Sequence, residues 1–184
     1  RAGAGTTTGT ANTFIGGSSN SYVGFANTTG ANNTAVGTDA LAANTTASNN
    51  TAVGMDALDA NTTGPANTAV GAGALTTNIT GADNTALGQN SLGLSTGGSN
   101  TGVGQSSLAA NTTGGSNTAI GRKSGDTLTT GGNNTLLGHD AQPSAVGVSN
   151  EITLGNGSIG AIRCNTTSIS SLSDARDKTN VQDI

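Results

Sequence analysis

Apolar and polar positions along this chain recur with a fixed period. The unit Asn-Thr-Ala-Val-Gly stands at 33–37, 50–54 and 67–71, and close variants follow at 84–88, 100–104, 117–121 and 134–138. A degenerate copy, Glu-Ile-Thr-Leu-Gly, ends the series at 151–155, and two shortened copies precede it at 12–16 and 20–24. From Gly37 to Gly155 the closing glycines are 17 residues apart at every step except Gly88 to Gly104, which is 16. Four residues beyond the glycine stands Leu41, Leu58, Leu75, Leu92 or Leu108. Three further on comes Asn-Thr-Thr-Gly or a relative, as at 61–64 and 111–114. Apolar residues held in register through eight copies exclude a disordered low-complexity tract.

This period predicts strands rather than helices. Helical arrays use longer repeats rich in Ala, Leu and Glu, and Gly and Asn are poor helix formers. Thr-Ala-Val alternates faces as a strand does, and glycine ends it because it tolerates positive φ at a corner. Seventeen residues accommodate two short strands and two corners, one coil of a parallel β-solenoid. The fold class is therefore all-β: a β-solenoid of 17-residue coils, spanning 33–155. Residues 1–32 read as irregular coils or a junction, and 156–173 as terminal strands.

Stacking places like residues above one another. Asn33, Asn50, Asn67 and Asn84 form one expected amide column, and Asn44, Asn61, Asn78 and Asn111 another, each side chain donating to the next coil. Val36, Val53, Val70, Leu87, Val103, Ile120, Leu137 and Leu154 share one strand face. The leucines and this valine column supply the expected apolar core. The small column on the other face (Ala35, Ala52, Ala69, Ala86, Gly102, Ala119) would let a second surface approach closely. One coil has too little apolar area to offset the ordering of its own backbone. Several copies packed side by side are expected in consequence.

Composition sharpens this picture. Of 184 residues, 30 are Gly, 32 Thr and 22 Asn, while Leu, Ile, Val and Phe total 30. Net charge is −4 and no Lys or Arg lies between Arg1 and Arg122, which excludes a nucleic-acid surface. No apolar run reaches the ~18 residues of a membrane helix, so no membrane insertion is expected. The chain opens on Arg1 without a charged and then apolar leader, so it reads as a piece of something longer with no visible signal peptide. A single cysteine, Cys164, excludes an intrachain disulfide. No P-loop, dinucleotide fingerprint or nucleophile elbow is present, and no cofactor is expected.

From about Gly121 the repeat degrades. Gly125 and then Gln142 take the leucine position, and Arg122, Lys123, Asp126, His139, Asp140 and Glu151 bring charge. Residues 174–184 hold 5 of the chain's 16 charged residues, which marks the start of a new, truncated domain. His139 is the one histidine. It becomes a metal candidate if threefold symmetry gathers three imidazoles. Phe14, Tyr22 and Phe25 cluster near the N-terminal end and would close the rod or form a junction.

The Asn-Thr-Ala-Val-Gly coils resemble the head repeats of trimeric autotransporter adhesins, which form left-handed parallel β-rolls in homotrimers. They are also similar to repeats in the tail fibres of tailed phages, cyanophages especially. Residues 161–184, with Ser173-Asp174-x-Arg176-x-Lys178-x-Asn180, look like the entrance to the intramolecular chaperone domain of phage fibres, the peptidase S74 family. That resemblance implies a homotrimer, a virion location and a host cell-surface receptor or glycan as partner. The function it implies is the shaft of a tail fibre. It also implies self-cleavage between Ser173 and Asp174, with Ser173 as nucleophile and Lys178 as candidate base. On that resemblance self-cleavage would need the chaperone body, which residues 174–184 would only begin. Ser173 or Asp174 would equally serve as a helix N-cap. Two alternatives stand beside the fibre: a bacterial cell-surface adhesin, extracellular or on the cell surface, and an ice-binding solenoid built on Thr45/Thr46, Thr62/Thr63 and Thr112/Thr113. Adjacent threonines in a strand face opposite ways, which weighs against the ice-binding reading.

Overall fold

The computed structural model describes residues 2–17 and 22–160. It is a parallel β-solenoid with no helix among the described residues. The strands are β1 (Thr13–Ile15), β2 (Thr34–Val36), β3 (Thr51–Val53), β4 (Thr68–Val70), β5 (Thr85–Leu87), β6 (Thr101–Val103), β7 (Thr118–Ile120), β8 (Thr135–Leu137) and β9 (Ile152–Leu154). They form one sheet in sequence order, every pair parallel. Equivalent residues face each other, as in Thr51↔Thr68, Ala52↔Ala69 and Val53↔Val70. Eight steps of about 4.8 Å make the sheet about 38 Å long. The ladder begins upstream of Asn33, because β1 already pairs with β2 and Ala2 bridges to Val23.

Two strands per coil were expected, and one is present. The remainder of each coil turns through residues in the left-handed region. One precedes the column asparagine (Asn49, Ala66, Asp83), one lies two residues past the glycine (Asp39, Asp56, Asn90), and one is the leucine itself, with Leu41, Leu58, Leu75 and Leu92 at φ 52° and Leu108 at 51°. A non-glycine side chain at positive φ is costly. So dense a series bends the chain too tightly for a second strand.

The closing glycine is needed twice over. Gly71 has φ 133°, and a Cβ there would lie 2.6 Å from the carbonyl of Gly88 in the next coil. Asparagines hold the rungs together from inside. In the first column Asn Oδ1 accepts the backbone N–H of the next asparagine, at 2.9 Å from Asn50 to Asn33 and from Asn67 to Asn50. Its amide donates forward to a carbonyl of the next coil, as Asn33 does to Ala47 at 2.8 Å; Asn50 is the exception, its Nδ2 having no partner among the described residues. The second column runs the other way. Asn44 donates to Oδ1 of Asn27 at 2.8 Å and Asn61 to Asn44 at 3.1 Å, toward the preceding coil rather than the next as expected.

The core reverses the expected faces of the strand. Ala35, Ala52, Ala69, Ala86 and Ala119 point inward with Leu41, Leu58, Leu75, Leu92 and Leu108, all fully buried. The valine column points out. Leucine explains this, because it already fills the thin interior and leaves room for about a methyl group. At Gly102, where Ser91 and Ser107 replace alanine on either side, a Cβ would lie 2.6 Å from Ser91 Oγ and 3.3 Å from Leu92 Cγ.

Where the leucine is absent, the strand supplies the missing volume. Gly125 takes the leucine position, and Leu136 occupies the alanine position of the adjoining strand β8, 1 % exposed. At the other end Gly3 and Gly24 leave space for Phe14 on β1, whose ring would clash with a Cβ on either glycine. Phe14 thus plugs the first coils from inside. Tyr22 and Phe25 pack against each other with ring centroids 4.7 Å apart.

Candidate functional surface

The sheet displays its first and third strand residues on one face. They form a threonine column, from Thr13 through Thr34, Thr51, Thr68, Thr85, Thr101 and Thr118 to Thr135, and beside it an apolar column. The apolar column is Ile15, Val36, Val53, Val70, Leu87, Val103, Ile120, Leu137 and Leu154, with Ile152 ending the other. Val70 and Leu87 are each 38 % exposed and Ile120 46 %. Residues two apart on a strand stand about 7 Å apart, so the two columns make a strip about 7 Å by 38 Å. No charged residue occupies it. Single exposed apolar residues are ordinary; here they stand in a contiguous row from β1 to β9.

The flanks are polar. Thr28, Thr45, Thr62, Thr96, Thr112 and Thr129 donate their hydroxyls to carbonyls of the following coil, at 2.9–3.2 Å. The threonines first considered for binding water in ordered columns are therefore divided. The first of each pair stitches coils together, while Thr46, Thr63 and Thr113 are exposed.

His139 is exposed, with Nε2 2.9 Å from Nη2 of Arg122, one coil back. The guanidinium donates, so this ring nitrogen accepts, and its lone pair is engaged. Among the described residues no three His, Cys, Asp or Glu side chains are placed to hold a metal ion. Burial pushes the Asp59 carboxyl above its ordinary pKa, and the charges of Asp56 and Asp39 add to the rise. The Glu151 carboxyl is held below its ordinary value, chiefly by the Ser144 hydroxyl, then by the Ser144 N–H and the Thr153 hydroxyl. Ser173, Asp174 and Lys178, the residues of the implied cleavage junction, lie outside the described residues, as does Cys164.

Sequence reasoning found the columns and assigned the two strand faces the wrong way round: the small column is buried and the valine column faces out. The available signal was volume. A leucine four residues past every glycine fills the coil, and the smaller member of the alternating pair must then face it. The fold defines a β-solenoid repeat protein. Comparison with family models, with curated proteins and with solved structures found no match.

Proposed function

We propose that the chain is the shaft of a homotrimeric fibre that carries a virion's host-attachment apparatus, its copies joined along the exposed Thr-x-Val face. The supporting observation is that uncharged strip, with its unbroken apolar column. Each rung repeats the one below, so parallel copies meet rung against rung. Charge does not oppose the contact, because Asp39, Asp56, Asp83, Arg122 and Lys123 are at corners off the strip. Area favours more than two copies. A strip about 38 Å long and about 7 Å wide gives about 270 Å², a third of the ~800 Å² per partner of a stable pair. Closure around an axis lets each copy contact two neighbours. The partner at the fibre's outer surface would be a host receptor or glycan. The same geometry would serve a bacterial cell-surface adhesin, with the cell envelope in place of the virion.

Light scattering and sedimentation of the purified chain test this reading. An elongated trimer resistant to SDS is expected. Val70→Asp with Val103→Asp should dissociate it, while Thr63→Asp and Thr113→Asp, off the strip, should not. A monomeric wild-type chain overturns the proposal.

The hydroxyls of the same face favour a second reading. The strand threonines lie two residues from the valines and repeat at every rung, the spacing expected of a surface that orders water into an ice-like lattice. Thermal hysteresis of the purified rod would support it. Its absence in a chain that stays monomeric would eliminate it.

A further inference from the structure

Ser95 interrupts the second asparagine column. In the second asparagine column Asn44, Asn61 and Asn78 each donate to Oδ1 of the rung before, at 2.8, 3.1 and 3.2 Å. Each also donates to the backbone carbonyl three residues on, that of Ala47, Gly64 or Gly81. The next member of the column is Ser95, in the one 16-residue coil. Asn78, Ser95 and Asn111 are fully buried. The serine side chain is too short for the ladder, so Asn78 Oδ1 and Ser95 Oγ have no hydrogen-bond partner among the described residues. Beyond it, Asn111 Nδ2 gives one N–H to the Gly114 carbonyl at 3.0 Å. Its second N–H is the one that in Asn44, Asn61 and Asn78 reaches back to the amide oxygen of the rung before.

We propose that an ordered water molecule occupies the Ser95 rung in place of the carboxamide. It donates to Asn78 Oδ1, shares a hydrogen bond with Ser95 Oγ and accepts from Asn111 Nδ2. Three partners is the usual number for a buried water, and the volume given up by replacing asparagine with serine is of the order of one water, about 30 Å³. The other end of the column contrasts with this. Asn111 Oδ1 is also buried without a partner, but the next rung there is Leu128, fully buried and apolar. That side offers a water too few partners and stays dry.

The sign of one substitution separates a hydrated rung from a dry one. With the water present, Ser95→Ala removes one of its partners, and Tm falls by about 2–4 °C. In a dry rung the same substitution deletes a buried, unpaired hydroxyl and leaves Tm unchanged or higher; that result overturns the proposal. A high-resolution crystal structure of the 184-residue chain gives the second reading, and it decides if Ser95→Ala does not fold. Density within hydrogen-bond reach of Asn78 Oδ1 and Ser95 Oγ, replaced by an amide in Ser95→Asn, is expected. A map empty at that rung overturns it.

Discussion

The coils from Asn33 to Gly88 and those from Gly88 to Ala141 build the same rod by different means. In the first stretch identity does the work: alanine on the strand, leucine at the left-handed corner and asparagine in both columns recur without exception. In the second, residues change in linked pairs. Serines at 91 and 107 flank Gly102, where the Ser91 hydroxyl bonds the Gly102 carbonyl at 2.9 Å. Gly125 faces Leu136, and Leu128 takes the asparagine position. The interior therefore constrains the total volume of a rung more tightly than the residue at any one position. That is the behaviour of a close-packed core one rung thick.

The largest effect should come from the closing glycine of the regular stretch. Gly71→Val places a branched side chain at φ 133° against the Gly88 backbone and should destabilise by about 4 kcal/mol or more, the range of steric failures in a packed interior. Gly157→Ala, with no atom of the described residues beyond its chain neighbours within 4 Å of the new Cβ, should leave the denaturation midpoint unchanged. Equal effects from the two would mean that the rungs do not stack as described.

The linked pairs can be tested next, by a double-mutant cycle. Leu136→Ala should cost about 2–5 kcal/mol, because a cavity opens opposite Gly125. Gly125→Leu alone should cost about 1–3 kcal/mol through overpacking, since its Cβ would lie 3.0 Å from Leu108 Cδ2 and 3.3 Å from Leu136 Cδ1. Together they recreate the arrangement of the regular coils, so the double variant should recover most of the loss. Additive losses would refute compensation.

The smallest effect concerns charge. The folded pKa of Asp59 lies above its unfolded value, so the folded state holds the proton more tightly. Stability then falls as pH rises through the folded pKa. Asp59→Asn removes that fall, raising the urea midpoint slightly at pH 7 with no gain at pH 3. Glu151 has the opposite sign: its contribution is present above the unfolded pKa and is lost as pH falls through the lowered folded value. In Asp59→Asn, a gain at pH 3 equal to that at pH 7 would remove ionisation as the cause.

Periodicity made most of the fold legible. A glycine needed at every turn and asparagines bonded from coil to coil leave strict spacing in the sequence, and both columns stand where that spacing put them. Three features left no such mark. Alternation shows that Ala35 and Val36 face opposite ways but not which faces inward; the leucine decides that, from five residues beyond Val36. Leucine at positive φ contradicts local preference and is held there by burial and by its N–H, which donates to the next coil, as Leu41 does to Ala57 at 3.0 Å. The pairing of Gly125 with Leu136 joins residues 11 apart in sequence and one rung apart in space. The two faces of the strand were exchanged for the first of these reasons.

The uniform parallel pairing of β1 to β9 also makes the rod a ruler. Its length is counted in whole turns, so a duplication of 17 residues adds one step of about 4.8 Å and leaves both ends as they were. Insertions too short or too long to complete a turn must loop outward at a corner. Slippage between repeats during gene replication would then change the reach of the molecule in discrete increments, without redesign of any contact.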